Sequence, residues 1–228
     1  MSVAPMTLVI LGPPGSGKGT QGKKLATYFH LAYVATGDLV RSAARRAQSE
    51  PGNRLFVQVQ ERLGKGRPQP DEVIITLLKE HLRSLDLSSG IIFDAFPLSL
   101  GQAQGLKHLV SEFHLAEPLV LYLAIDEWES VKRLGVRKFC VTCGSAYSPQ
   151  HIEYKTGKCS VEGEPLITRE DDRFHVVIRR MAEYRDRMGL LRRLYSKQGR
   201  LIELDGARPI EEVFAEILKQ LEQRVAIP

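Results

Sequence analysis

Residues 8–21 read LVILGPPGSGKGTQ, an apolar run that passes into a glycine-rich turn and then into a helix-forming segment. Branched aliphatic side chains bounded by Gly12 and two prolines favour a short buried strand. Glycines at 12, 15, 17 and 19 let successive backbone N–H groups turn inward. The helix that follows brings the partial positive charge of its N-terminus to the same point. A strand, a glycine loop carrying one lysine, and a helix in this order make a phosphate-binding loop. Gly15, Ser16, Gly17 and Gly19 supply the cradle, Lys18 reaches the outer phosphates, and the Thr20 hydroxyl is placed for a phosphate-bound Mg²⁺.

The remaining pattern alternates. Met6 to Leu11, Ile91 to Phe93, Leu119 to Ile125 and Leu201 to Leu204 read as buried strands. Helical periodicity covers Lys18 to His30, Asp38 to Ala47, Leu55 to Leu63, a stretch opening at Pro70, Asp172 to Lys197, and Ile210 to Val225. Strands separated by helices predict a parallel sheet in an α/β fold. Residues 139–168 break this rhythm: they hold glycines, prolines and all three cysteines, and read as an inserted subdomain.

With 228 residues the chain suits one α/β domain with an insertion, or two small domains. No apolar run approaches the ~18 residues of a membrane span. The N-terminus has no basic segment before its apolar stretch, so a cytoplasmic protein is expected. The net charge of +5 fits either a mildly basic surface or a cleft for polyanions. Nucleic acid is not the expected partner, because basic residues are not interleaved with aromatics as on an RNA-binding sheet. Three closely spaced cysteines make a disulfide framework improbable.

The loop departs from the general pattern in one respect: Gly19 stands between the lysine and the hydroxyl of Thr20. In that form, GxPGxGKGT, it resembles the loop of the nucleoside monophosphate kinases, adenylate kinases above all. ATGDLVR (35–41), PDEVI (70–74), FDAFP (93–97), TREDD (168–172) and LDG (204–206) follow in that family's order and spacing. The resemblance implies a phosphate-loop NTPase fold with a parallel five-stranded sheet. It divides the chain into core segments (1–34, 70–135 and 173–228), a helical monophosphate-binding insert (35–69) and a lid (136–172). It implies a monomer that takes ATP and a nucleoside monophosphate, AMP foremost.

Phosphoryl transfer between two nucleotides needs positioning and charge neutralisation more than covalent chemistry. On the donor side the resemblance gives Lys18 and Thr20 to the ATP phosphates. Asp94, ending its strand, organises Mg²⁺. Arg133, Arg137, Arg169 and Arg180 flank the insert and match the family's arginine cluster, with Asp171 and Asp172 as the acidic pair that orients them. Tyr147 and Arg208 match contacts on the ATP adenine side. Within the insert, Cys140-Val-Thr-Cys143-Gly144 and Cys159-Ser-Val-Glu162-Gly163 share one form, and such paired knuckles aim four donors at a structural Zn²⁺. Three thiolates with Glu162 as the fourth ligand are expected.

On the acceptor side Thr36 and Arg41 match the monophosphate-binding residues, Gln102 matches the adenine-reading glutamine, and Arg67 to Gln69 align with a backbone contact to the base. The family motif DGFPR reads Asp94-Ala95-Phe96-Pro97-Leu98 here. Ala95 replaces a glycine, and Leu98 replaces the arginine that would fork onto the acceptor phosphate. Losing such a charge-assisted pair costs on the order of 2–4 kcal/mol. Three functions follow from these residues: ATP + AMP = 2 ADP with a weakened acceptor site, a monophosphate kinase with a changed acceptor, or a low-turnover ATP-binding switch.

Overall fold

The computed structural model describes residues 5–65, 67–168 and 174–224. In chain order the elements are β1 (Met6–Leu11), α1 (Lys18–Phe29), β2 (Ala32–Ala35), α2 (Thr36–Ser49), α3 (Arg54–Gly64), α4 (Asp71–Leu82), β3 (Gly90–Asp94), α5 (Leu100–Glu112), β4 (Leu119–Ala124) and α6 (Glu127–Gly135). They continue as β5 (Lys138–Phe139), β6 (Ala146–Tyr147), α7 (Ile152–Thr156), α8 (Phe174–Lys197), β7 (Leu201–Asp205) and α9 (Ile210–Glu222).

Five strands form one parallel sheet in the order β2-β3-β1-β4-β7. Side chains of a strand point alternately to its two faces, and β1 shows the result. Val9 and Leu11 join a cluster with Phe93, Tyr122, Leu78 and Leu191, under α2, α3, α4, α5 and α8. Leu8 and Ile10 join the opposite cluster with Ile92, Leu123, Ile202, Leu25 and Ile217, under α1 and α9. A sheet covered on both faces needs strands that are apolar throughout, which is why residues 7–11 show no polar alternation.

The expected α/β architecture is therefore present, with the five-stranded parallel sheet. Four strands coincide with the apolar runs read from the sequence. The fifth, β2, does not stand out as one, because only Val34 of its four residues is buried. Pro70 immediately precedes α4 rather than lying in its first turn, and its carbonyl accepts from the N–H groups of Val73 and Ile74. The insert adds β5, β6 and the short α7. Its entry and exit are held side by side: Phe139 and Ile167 exchange backbone hydrogen bonds of 2.9 and 3.0 Å. Among the described residues no helix is long and apolar enough to cross a membrane.

Candidate active site

The loop between β1 and α1 leaves the carboxyl end of the sheet, where open α/β sheets bind their ligands. Gly12 has φ 151, and a Cβ there would lie 2.5 Å from both the Leu123 carbonyl and Ser16 Oγ, so the loop can only close with glycine. Gly17 caps α1 with φ 90. The first N–H groups of a helix have no intrahelical acceptor and favour an anion, and the first turn of α1 carries no acidic residue to take that place. Lys18 Nζ donates to the carbonyls of Gly12 (2.8 Å) and Pro13 (2.9 Å), curling over the loop. Ser16 Oγ is buried without a hydrogen-bond partner among the described residues, an unsatisfied polar atom inside the cradle.

Asp94 ends β3 beside this loop. A Cβ at Gly19 would lie 3.5 Å from its Oδ2, so the carboxylate sits against the first turn of α1. It is only 7% exposed, and burial pushes its pKa above the ordinary carboxylate range, against the opposing pull of Lys18 and of a hydrogen bond from Tyr33. With the Thr20 hydroxyl at the exposed rim, the donors are hard oxygens beside a phosphate cradle. That set fits Mg²⁺ held largely through substrate phosphates.

Thr36 starts α2, and its hydroxyl donates to the Ala95 carbonyl at 2.9 Å, tying the start of that helix to the residue after Asp94. Arg41, one turn later, pairs with Asp38 at 2.5 Å. Both line a cleft of about 580 Å³ between α2–α3 and the insert, whose wall includes Phe139 and Cys143. Gln102 is buried with both ends of its amide engaged. Its Oε1 accepts from the Leu98 N–H at 2.8 Å, and its Nε2 donates to Asp71 Oδ1 at 2.9 Å. Arg67 is exposed, and the Gln69 side chain turns back to the Val59 carbonyl at 3.1 Å.

Arg133, on α6, donates to the carbonyls of Gly206 (2.9 Å) and Ala207 (3.0 Å), with a longer contact to Gly15 (3.4 Å). It thereby joins the phosphate loop to the turn after β7. Ser130, one turn earlier, is buried and donates to the Pro14 carbonyl. Nothing in its immediate sequence marks that role. Arg137 is half-buried where α6 leads into the insert, and Arg208 pairs at the surface with Glu212. Arg169, Asp171 and Asp172 lie outside the described residues. Arg180 is on α8, its side chain likewise outside the description.

The family model described as adenylate kinase matches residues 10–200 of this chain. Curated proteins named adenylate kinase align over nearly its whole length. The protein from Archaeoglobus fulgidus is 36% identical over 222 residues, covering 96% of this chain and 99% of its own. That from Carboxydothermus hydrogenoformans is 33% identical over 222 residues, covering 96% and 100%. That from Thermodesulfovibrio yellowstonii is 35% identical over 223 residues, covering 96% and 100%. The chain belongs to the adenylate kinase family.

Against the adenylate kinase motif, the two departures at 95 and 98 have distinct structural expressions. Ala95 has φ 57, a left-handed conformation that glycine adopts freely and alanine does not. Leu98 packs its side chain against the main core cluster, so this position carries an apolar contact and no charge.

In the insert, the thiols of Cys140, Cys143 and Cys159 lie within 4.8 Å of one another. Cys143 Sγ and Cys159 Sγ are 3.6 Å apart. Two corners of a tetrahedron with Zn–S bonds of about 2.3 Å would be separated by about 3.8 Å, so the thiols fit a zinc centre. Cys159 is lowered to about 7, chiefly by the Tyr147 hydroxyl and also by N–H groups of its own knuckle, which favours the ligating thiolate. Among the described residues the gathered ligand atoms are these three thiols, and Glu162, the expected fourth ligand, is exposed outside that group. Its backbone N–H reaches Cys159 Sγ at 3.4 Å. Tyr147 is 6% exposed and lies in the small core of this knuckle, its hydroxyl 3.2 Å from Cys159 Sγ.

Proposed function

We propose that the chain transfers the terminal phosphoryl group of ATP to AMP, giving two ADP. The observation that carries this reading is the meeting of two half-sites at Asp94 and Ala95. The carboxylate lies against Gly19 of the phosphate loop, while the next carbonyl accepts from Thr36 of the acceptor side. Donor and acceptor phosphates are thereby brought to one edge of the sheet, and orientation of this kind supplies much of such a barrier reduction.

The α1 N-terminus and Lys18 hold the donor phosphates. Mg²⁺ bound with ATP would neutralise phosphate charge, and Thr20 and Asp94 are the residues that would hold it. Arg41 binds the acceptor phosphate, and Gln102 reads the adenine edge from its anchored position. Residues 35–69 form the monophosphate-binding insert and 136–172 the lid, which excludes water and brings Arg137, Arg169 and Arg180 to the transferring group. Arg133 holds the donor loop closed from the adenine side, beside Arg208. Zinc in the lid is structural and is held by the three cysteines. The enzyme is expected to be cytoplasmic, as its N-terminal sequence suggests, and to act as a monomer, as the resemblance implies.

Leu98 weakens the acceptor half. The experiment is steady-state ADP formation from Mg-ATP with AMP, CMP, UMP and GMP in turn. Turnover with AMP above the others is expected. A preference for another monophosphate would replace the assignment of acceptor, and tight ATP binding with no turnover on any of them would overturn catalysis.

A further inference from the structure

Tyr33 is a polar group at this site that the reaction as described leaves unused. It stands on the edge strand β2, and its ring lies across α1 at Gly22. A Cβ at Gly22 would meet Tyr33 Cε2 at 2.6 Å and Cδ2 at 3.4 Å, so the absence of a side chain there makes the slot for the ring. From that slot the hydroxyl donates to Asp94 Oδ2 at 2.5 Å. The hydroxyl is also 3.6 Å from where a Cβ of Gly19 would stand, one residue past Lys18. Burial, followed by the charge of Asp94, pushes the Tyr33 pKa far up, so the phenol keeps its proton and remains a donor.

A buried carboxylate with one oxygen held by a fixed donor has its rotation restricted, and the other oxygen is left for a second partner. We propose that Tyr33 is a positioning residue for phosphoryl transfer: its hydroxyl holds Asp94 Oδ2, so that the carboxylate presents its remaining oxygen to the metal-bound donor nucleotide. This rests on the role given to Asp94 above. The phenol touches neither nucleotide in this arrangement, and it acts only through the carboxylate.

Tyr33→Phe keeps the ring in the Gly22 slot and removes the donor alone. The measurement is the affinity for ATP by calorimetry, with Mg²⁺ and with Mg²⁺ chelated, in the native protein, Tyr33→Phe and Asp94→Asn. In Tyr33→Phe, Mg-ATP binding is expected to weaken about tenfold, while metal-free ATP binds as in the native protein. The Mg²⁺ concentration for half-maximal turnover is expected to rise in parallel. Equal weakening with and without metal would overturn the proposal, since a ring that merely supports the loop would act on both. An unchanged ratio in Tyr33→Phe beside a reduced one in Asp94→Asn would overturn it too and leave the role of Asp94 standing. An unchanged ratio in Asp94→Asn would remove that role and the proposal together.

Discussion

Asp71 opens α4 and binds two residues at the start of α5 at once. Its Oδ1 accepts from Gln102 Nε2 at 2.9 Å and its Oδ2 from the Ser99 hydroxyl at 2.6 Å. Ser99 in turn caps α5 through the Gln102 N–H. The carboxylate thus sets where the Gln102 amide stands, the group proposed to read the base. Losing charge-assisted hydrogen bonds of this kind costs about 1–2 kcal/mol. Asp71→Ala is therefore expected to raise KM for AMP by about five- to thirtyfold with little change in kcat, as read from initial rates at varied AMP.

On the proposed function, Leu98→Arg supplies a cation to the acceptor phosphate. The gain expected from a bidentate contact of about 2–4 kcal/mol is about thirty- to thousandfold in kcat/KM for AMP. The same substitution removes a half-buried apolar contact with the core, so a small fall in melting temperature should accompany it. Parallel kinetic and thermal measurements on one preparation check both.

Ala95 keeps its left-handed backbone at a cost of about 1–2 kcal/mol. Glycine in its place gives back part of that to the more flexible unfolded chain. Ala95→Gly is expected to stabilise the protein by about 1 kcal/mol, or about 2–4 °C in a thermal melt of a protein this size.

Asp94 makes stability depend on pH. Its folded-state pKa is raised, chiefly by burial, above the ordinary 3.8. The folded chain therefore holds this proton more tightly than the unfolded one. The group favours folding below pH 3.8, and that contribution is lost as pH rises through the raised value. Asp94→Asn should accordingly be more stable than the native protein at neutral pH, with the difference shrinking as pH falls toward 3.8. Urea melts across that range measure it.

Metal analysis of the purified protein is expected to find about one zinc per chain. Cys143→Ser should lose it. Glu162→Gln should retain it, because that carboxylate stands apart from the thiols.

The buried framework was largely legible from sequence, because sheet strands covered on both faces leave continuous apolar runs and the phosphate loop has its own spacing. What escaped is what depends on residues far apart in the chain. The Tyr33–Asp94 bond spans 61 positions and begins on a strand too short to show a period. Ser130 meets the phosphate loop across 116 positions. The knuckle repeat located the cluster of three thiols, whereas the place of the Glu162 side chain is not legible, because ligand spacing does not report which way a long side chain turns. The Leu98 departure, by contrast, needed no structure to be seen.

The paired backbone bonds between Phe139 and Ile167 close the insert at its neck. Everything that folds beyond that clasp, metal knuckle included, is anchored by a contact that belongs to the insert itself and uses no side chain of the sheet. The insert can therefore be exchanged, trimmed or fitted with another ligand set while the core keeps its packing. Heat resistance of the insert and packing of the sheet are then expected to be separable properties, open to change one at a time.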